Sequence, residues 1–249
     1  WTLLDIYSLY SYFKIKAILK KENPDIVHVQ IPLDFTLAAF NSIKSLGLPL
    51  VHTIHDYMWM CRRVTLLHSN GNICSERDIN PFCKFYRKFA KDTINRTVDF
   101  AISPVEFTLQ MHKKNGFFVN TECKVLHHGI KLDSKQSENR IYKKDSQKDT
   151  FNILYAGGLT RHKGIHLLIK AFRSINDQNV RLNIVGGGVY ESTLKQTANG
   201  DKRIVFHGKF PNSAMSGFYQ DSDILVVPSI WYDVRPNVIP EAFSNGLPV

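Results

Sequence analysis

Two hydrophobic periodicities alternate along the chain. Leu3, Ile6, Leu9 or Tyr10, Phe13 and Ala17 recur at the spacing of one helix face and predict a helix over residues 3–20. Short apolar runs and further helical patterns follow, and they predict strands at 26–29, 50–54, 99–103 and 124–127 and helices at 35–46, 81–96 and 104–115. Residues 57–80 follow neither period and are predicted to form an irregular loop.

The alternation stops at a polar segment and then begins again. Residues 131–150 are almost wholly polar and predict a linker. After it, the pattern predicts strands at 151–156, 181–185, 204–206 and 224–228 and helices at 165–174, 190–197, 213–219 and 237–245. Strands that alternate with helices indicate parallel sheets covered on both faces. We therefore expect an α/β protein with two Rossmann-like, doubly wound domains, residues 1–130 and 151–249.

Composition narrows the classes of protein that fit. The 249 residues are 43% hydrophobic and carry a formal net charge of +10, which excludes a generally disordered chain. No apolar run approaches the roughly 20 residues that span a bilayer. Because the first residue is Trp1, and because the last residues end as a new strand begins, we expect a piece of a longer protein, truncated at both ends, with both domains incomplete.

Four cysteines are too few for a disulfide-dense secreted fold and favour a reducing compartment. Three of them, Cys61, Cys74 and Cys83, fall in the predicted loop. Their spacing lacks the close cysteine pairs of common zinc sites, so ordinary thiols are favoured over a structural metal.

The most informative motif is the segment from Ser229 to Phe243, where a strand ends and a helix begins near Asn237. Free backbone N–H groups at such a helix start suit a phosphate. The carboxylates of Asp233 and Glu241 would repel the phosphate itself, but they can accept hydrogen bonds from sugar and ribose hydroxyls. The alternative is a helix-start acid favoured by the dipole and a solvent-exposed loop acid, and spacing leaves both interpretations open.

A second candidate is the turn from Gly157 to Gly164, also between a strand and a helix. Glycines such as Gly157 and Gly158 allow close backbone approach, and Arg161 or Lys163 could hold a pyrophosphate. The alternative is a solvent-exposed basic turn.

Seven segments together resemble the retaining, nucleotide-sugar glycosyltransferases of family 4, which have the two-domain GT-B fold. They run in the family's order over essentially the whole chain: HTIHDYMWMC, AISPVEFTLQMHKKNGF, VLHHGI, FNILYAGGLTRHKGIHLLIKAF, LNIVGGG, VFHGKF and DSDILVVPSIWYDVRPNVIPEAFSNGLPV. The last carries the family's pair of acids separated by seven residues. Residues 57–83 also resemble a subgroup that is common in polysaccharide assembly.

The resemblance implies roles for the acidic motif. Glu241 would accept hydrogen bonds from the nucleotide ribose, and the backbone of Asn237 and Val238 would lie against the pyrophosphate. Asp233 would contact the donor sugar as a catalytic residue, although the family usually has Glu at this position.

The resemblance also implies roles outside that motif. Lys163 would neutralise the leaving diphosphate, and His55 would face the donor sugar; both are catalytic candidates. Gly208 and Lys209 would lie near the nucleobase. No metal and no other cofactor is implied.

One departure concerns the glycine turn. The family usually has Arg where this chain has Gly158, and that guanidinium would help to stabilise the departing diphosphate. Arg161, three residues further on, is the candidate to reach the same phosphate.

These features predict transfer of a hexosyl group, with retention, from a nucleotide-diphosphate sugar to a glycan or a lipid-linked glycan in polysaccharide assembly. Two alternatives stay open: a non-catalytic sugar-nucleotide-binding protein, for which Gly158 argues, and a sugar-nucleotide epimerase on the same fold.

Basic and aromatic residues interleave over residues 82–96. Such a helix fits peripheral contact with an anionic membrane, which implies a cytoplasmic protein at the inner face of the cell membrane. A solvated helix whose aromatics face the core is the alternative, and nucleic acid is disfavoured because no nucleic-acid-binding module accompanies the helix. His28 and Gln30 follow a strand and are interpreted as partly buried polar residues, with Gln30 facing the cleft as the alternative.

Overall fold

The computed structural model describes residues 6–32, 35–68, 70–74, 79–129 and 150–249. The chain divides into two compact units, Trp1–His128 and Gly129–Val249, and each is described by itself. All but the last residue of the predicted linker, 131–150, lies outside the described residues, as do residues 1–5 of the first predicted helix.

The first unit is a parallel sheet with helical connections. Its elements are α1 (Leu9–Glu22), β1 (Val27–Val29), α2 (Ala38–Lys44), β2 (Leu50–Thr53), α3 (Pro81–Thr97), β3 (Phe100–Ser103), α4 (Glu106–Lys114) and β4 (Glu122–Val125). The four strands lie side by side in chain order, with Val27 opposite Leu50 and Val51 opposite Phe100. Because parallel crossovers are right-handed, three successive crossovers in one direction place α2, α3 and α4 on one face of the sheet.

The first helix departs from its prediction. It begins at Leu9, where the side chain of Ser8 caps the backbone N–H of Ser11 at 3.2 Å, and not at residue 3. Within the helix the predicted apolar face is not buried, because Leu9, Tyr10 and Phe13 are 64%, 73% and 65% exposed, whereas Ile6, which precedes the helix, is 3% exposed. Periodicity therefore identified the helix, but it did not show which residues of its apolar face are buried.

The basic helix α3 lies close to its predicted bounds and begins after an Asn80 cap. It buries Tyr86, whereas Phe82 and Phe85 are 38% and 54% exposed. The interpretation that the aromatics of this helix face the core thus holds for Tyr86 and fails for Phe82 and Phe85.

Two buried histidines lie in the aromatic core of the first unit. Trp59 Nε1 donates to His52 Nε2 at 2.9 Å, so His52 Nδ1 carries the proton and donates to the carbonyl of Val29 at 3.0 Å. Burial lowers the pKa of His52 to about 3 and that of His112 to about 4. Both rings are therefore neutral in the folded protein.

The second unit is a parallel sheet whose strand order reverses. It contains β5 (Phe151–Ala156), a short 3-10 helix (Arg161–Lys163), α5 (Ile165–Arg173), β6 (Val180–Val185), α6 (Glu191–Ala198), β7 (Ile204–Gly208), a second 3-10 helix (Asn212–Ala214), α7 (Met215–Asp221), β8 (Ile224–Leu225) and α8 (Val238–Ser244). The sheet order is β7-β6-β5-β8, so the chain passes outward from β5 to β7 and then returns to the other side of β5.

This reversal puts helices on both faces of the second sheet. Tyr155 packs into one core cluster with residues of α5 and α6, and its neighbour Leu154 packs into another with residues of α7 and α8. Successive strand residues point to opposite faces, which explains the two cores. The prediction of two Rossmann-like parallel-sheet domains is confirmed. No helix in the described parts of the chain has the length and apolarity to cross a membrane.

Candidate functional site

A cavity of about 410 Å³ opens in the second unit at the carboxyl ends of its strands. The strand order reverses between β5 and β8, and parallel sheets bind ligands at such a reversal. Six lining residues belong to the predicted donor site: Gly157, Gly158, Lys209, Asn237, Val238 and Glu241. Gly186 and Gly187 belong to the glycine turn after β6, and the others are Ala156, Val185, Phe210, Met215 and Tyr219, which sequence reasoning did not assign to the site.

Two glycine turns form one wall of the cavity. Gly157 and Gly186 have φ of +149° and +142°, and a Cβ on Gly186 would overlap the carbonyl oxygen of Gly157. The turns after β5 and β6 therefore meet backbone to backbone, which only glycine permits. Gly208 closes β7, and its carbonyl accepts from the N–H of Gly186 at 2.8 Å, placing Lys209 beside Gly187.

Glu241 lines the cavity from the first turn of α8, and a tyrosine hydroxyl donates a hydrogen bond to its carboxylate. Tyr219 Oη–H donates to Glu241 Oε2 at 2.7 Å. Tyr219 is only 2% exposed, and burial together with the carboxylate of Glu241 raises the pKa of its hydroxyl. The tyrosine therefore stays a donor at neutral pH. The bond to Tyr219 fixes Glu241 Oε2, and Oε1 can accept a hydrogen bond from a ligand hydroxyl.

The two other charged candidates are joined to each other. Lys163 Nζ donates to Asp233 Oδ2 at 2.6 Å, and the hydroxyl of Ser229 donates to the same oxygen at 2.9 Å. The turn before α5 packs against the segment that follows β8, since a Cβ on Gly164 would overlap the carbonyl oxygen of Pro228. That close approach explains how residues 70 positions apart come together.

Gly158 and Arg161 lie on the same turn in different settings. Gly158 is exposed on the cavity wall, and a Cβ built there would have no heavy atom within 4 Å. Arg161 is the exposed first residue of the 3-10 helix and is not among the residues that line the cavity. The structure thus leaves open space where the resemblance expects a guanidinium.

His55 belongs to the first unit and lies two residues beyond β2. Its Nε2 is 2.5 Å from Gln30 Oε1, and its ring centroid is 5.4 Å from that of His128. Partial burial lowers the pKa of His55, and His128 and His28 lower it further by charge repulsion. The ring is therefore neutral at pH 7.

Two parallel-sheet units, one with a cavity at the reversal of its strand order, match the GT-B class of glycosyltransferase folds. HepE of Anabaena, solved with UDP, has a TM-score of 0.69 at 18% identity over 96% of this chain and 62% of that chain. Sucrose-phosphate synthase from Thermosynechococcus elongatus has a TM-score of 0.68 at 19% identity over 96% of this chain and 58% of its own.

Sequence comparison gives the family. The sequence profile of glycosyltransferase family 4 matches residues 3–134, and the profile of glycosyl transferases group 1 matches residues 150–249. The chain belongs to glycosyltransferase family 4.

Two curated relatives match this chain over most of its length. The chain is 24% identical over 249 residues to an uncharacterized 42.6 kDa protein in the cps region of Klebsiella pneumoniae, covering 99% of this chain and 62% of that protein. It is 28% identical over 232 residues to the putative teichuronic acid biosynthesis glycosyltransferase TuaC of Bacillus subtilis, covering 91% of this chain and 52% of that protein. The chain thus spans between about half and two thirds of these relatives.

Proposed function

We propose that the protein transfers a hexosyl group, with retention of configuration, from a nucleotide-diphosphate sugar to a glycan or lipid-linked glycan during polysaccharide assembly. The observation that carries the proposal is the cavity between the glycine turns and α8, with the Glu241 carboxylate held at its edge by Tyr219. Such a cavity offers a nucleotide both backbone contacts and a hydroxyl acceptor. HepE, a fold neighbour, was solved with UDP and with UDP-glucose, which makes UDP the first nucleotide to test.

In the proposed complex, each part of the cavity meets one part of the donor. Glu241 accepts from the ribose hydroxyls, and the backbone of Asn237 and Val238 lies against the pyrophosphate. Gly208 and Lys209 lie beside the nucleobase. The glycine turn at Gly157 and Gly158 leaves room for the phosphates because it carries no side chains.

The proposed reaction exchanges one bond at the anomeric carbon for another. The bond from that carbon to the diphosphate oxygen breaks, and a bond to the acceptor oxygen forms on the same face of the sugar. The acceptor's proton goes to the departing diphosphate, so the products are a nucleoside diphosphate and a glycoside. Lys163 offsets the negative charge that develops on the diphosphate. For this, the lysine exchanges its partner Asp233 for phosphate oxygens, which frees the Asp233 carboxylate for a sugar hydroxyl.

Two further roles are part of the proposal, the first from the family resemblance and the second from the position of Arg161 three residues after Gly158. His55 orients the donor sugar through a neutral ring, and Arg161 assists Lys163 at the diphosphate. Side-chain cations thus supply the charge that a divalent metal supplies in other transferases, and the proposal includes no metal.

The test is nucleotide binding measured by calorimetry with UDP, GDP and ADP, followed by transfer assays with the matching sugar nucleotides. Glu241→Gln keeps the size of the side chain and weakens the ribose contact, so we expect about a tenfold loss of affinity, the worth of one charged hydrogen bond. Glu191→Gln is the matched control, because Glu191 also lies in the first turn of a helix of the second unit but outside the cavity.

The outcomes separate the candidate functions. Equal loss in both variants, or no binding of any nucleotide by the folded wild type, contradicts the donor site. Binding without transfer indicates a sugar-nucleotide-binding protein, and interconversion of the free sugar nucleotide indicates an epimerase. Retention is read from the anomeric configuration of the product by NMR, and an inverted product contradicts it.

We also propose that residues 82–96 contact an anionic membrane at the cytoplasmic face, where a lipid-linked acceptor would lie. Phe82 and Phe85 are exposed on α3 beside the exposed Lys84 and Lys88, and such a surface suits lipid headgroups. We expect sedimentation with vesicles containing phosphatidylglycerol and loss of that binding in Phe85→Ser. Equal sedimentation of the variant, or none by wild type, contradicts the contact.

A further inference from the structure

A chain of polar contacts joins the ends of two neighbouring strands in the first unit. β1 and β2 are parallel neighbours with Val29 opposite His52, so residues just beyond their carboxyl ends come together. Gln30 follows β1, and His55 lies two residues beyond β2. Gln30 Oε1 lies 2.5 Å from His55 Nε2, and Gln30 Nε2 lies 2.9 Å from His28 Nε2.

The chain continues to a buried hydroxyl. His28 Nε2 is 2.7 Å from Thr53 Oγ1, and Thr53 is only 6% exposed. The Gln30 amide nitrogen also lies 3.2 Å from His28 Nδ1, so in either neutral tautomer of His28 it meets the unprotonated ring nitrogen. One amide N–H of Gln30 thereby has an acceptor on the His28 side, which favours the orientation with its carbonyl toward His55.

A carbonyl oxygen only accepts hydrogen bonds, so the ring nitrogen facing it must carry the proton. For a neutral His55 this places the proton on Nε2 and the lone pair on Nδ1. The sequence marks Gln30 only as a polar residue after a strand, and the interpretation that it and His28 are partly buried is wrong, because both are exposed. The relation of Gln30 to His55 arises only when β1 and β2 pair.

We propose that Gln30 is a positioning residue that holds His55 in the tautomer protonated on Nε2, so that Nδ1 is the atom available to accept a hydrogen bond from the donor sugar. The inference deepens the role proposed for His55 and rests on the proposed function for its catalytic consequence. The assignment of the tautomer stands independently of that function.

The charges around His55 keep the ring in the neutral form that this arrangement needs. His128 and His28 both act on it by repulsion, and partial burial acts in the same direction, so the pKa of His55 lies below its ordinary value. His52, on β2, is itself neutral because it is buried. At neutral pH the His55 ring is therefore a neutral tautomer and not the doubly protonated cation.

The test is NMR of the protein with ¹⁵N-labelled histidine, with the His55 signals assigned from His55→Asn. We expect wild type to show His55 protonated on Nε2. Gln30→Met keeps the length of the side chain and removes the acceptor, so we expect His55 to populate both tautomers. Gln30→Glu keeps the acceptor and adds a charge, so we expect the pKa of His55 to rise by about one unit or more.

Kinetics supply the catalytic part of the test. Gln30→Met should lower kcat by about tenfold or more while changing the donor KM little, because a misdirected ring costs more in the transition state than in binding. Gln110→Met, an exposed glutamine on α4 of the same unit, is the matched control and should leave kcat and the His55 signals unchanged. Because Gln30 is exposed, both of its variants should unfold at the wild-type temperature.

Three results would overturn the proposal. They are wild-type His55 protonated on Nδ1, a tautomer that does not change in Gln30→Met, and a changed tautomer with unchanged kcat. A wild-type protein that turns over no sugar nucleotide but shows the expected tautomer and its loss in Gln30→Met contradicts the proposed function, while the assignment of the tautomer to Gln30 stands.

Discussion

Gly158→Arg is the substitution for which the structure makes the sharpest prediction. A Cβ at this position meets no heavy atom within 4 Å, and the backbone is outside the left-handed region that disfavours side chains. The residue is exposed on the cavity wall, where the family usually has arginine. A guanidinium should therefore enter the cavity without displacing its neighbours. By contrast, a side chain at Gly186 would overlap the carbonyl oxygen of Gly157.

The magnitude follows from the position of the new charge. Two unit charges about 4 Å apart attract by about 4 kcal/mol at an effective dielectric of about 20. Because the cavity is open to solvent, we expect about a third to a half of that attraction to remain. A gain of about 1.4–2 kcal/mol in the transition state corresponds to about a tenfold to thirtyfold rise in kcat. The folded stability should be nearly unchanged, because the position is exposed.

The assay is single-turnover transfer at saturating sugar nucleotide, with Gly158→Gln as the uncharged control. We expect Gly158→Arg to be faster than wild type and Gly158→Gln to be equal to wild type or slower. Arg161→Ala should slow wild type, and it should slow Gly158→Arg less, if Arg161 supplies the charge that Gly158 lacks. A folded, nucleotide-binding Gly158→Arg protein with the turnover of wild type would refute the reasoning that the diphosphate lies beside this turn.

Three further predictions concern other parts of the molecule. Lys163→Met should lower kcat by about 10²–10³, the cost of losing one preorganised donor to developing charge. The stability of the first unit should fall on acidification. In the unfolded chain His52 and His112 take up a proton below their ordinary pKa of 6.5, whereas in the folded protein burial lowers these pKa values to about 3 and about 4. Stability present above pH 6.5 is thus lost as pH falls, by about 2 kcal/mol per histidine between pH 7 and pH 5, which urea unfolding would measure. Transfer should persist in excess EDTA, because Lys163 and Arg161 are proposed to supply the charge.

Each of these predictions has a contradicting result. Lys170→Met, on an exposed face of α5, is the control for Lys163→Met, and equal turnover in the two variants contradicts the role of Lys163. Equal urea midpoints at pH 7 and pH 5 contradict the buried neutral histidines. Activity that is abolished by EDTA and restored by added Mg²⁺ shows that a metal supplies the charge.

Local patterns predicted most of the elements because each depends on neighbours in the chain. Alternating strands and helices, glycine turns after strands and the acidic motif are all local features, and the two parallel sheets follow from them. The exposed apolar face of α1 was not predictable, since periodicity shows that a helix has an apolar stripe but not whether another element covers it. Phe82 and Phe85 on α3 are a second example, because helical spacing alone could not separate them from the buried Tyr86.

The candidate site divides in the same way. Glu241 and Lys163 could be selected from sequence because each lies close to the start of a helix that follows a strand. Lys163 is just before α5, and Glu241 is in the first turn of α8. Their pairings could not be predicted, because Tyr219 is 22 residues from Glu241 and Asp233, itself a candidate from sequence, is 70 residues from Lys163. Such contacts depend on the order in which strands lie in the sheet, which the sequence does not state.

The class of fold and the residue types at the ends of the strands follow from the sequence alone, because they depend on spacing along the chain, and the family follows from its motifs and from the matching profiles. Which of these side chains pair with one another depends on the folded structure. It joined Lys163 to Asp233, held Glu241 against Tyr219, turned Gln30 toward His55 and left space beside Gly158. The physical reason is that hydrogen bonds and ion pairs act over a few ångströms, and only the packing of strands and helices brings distant residues that close.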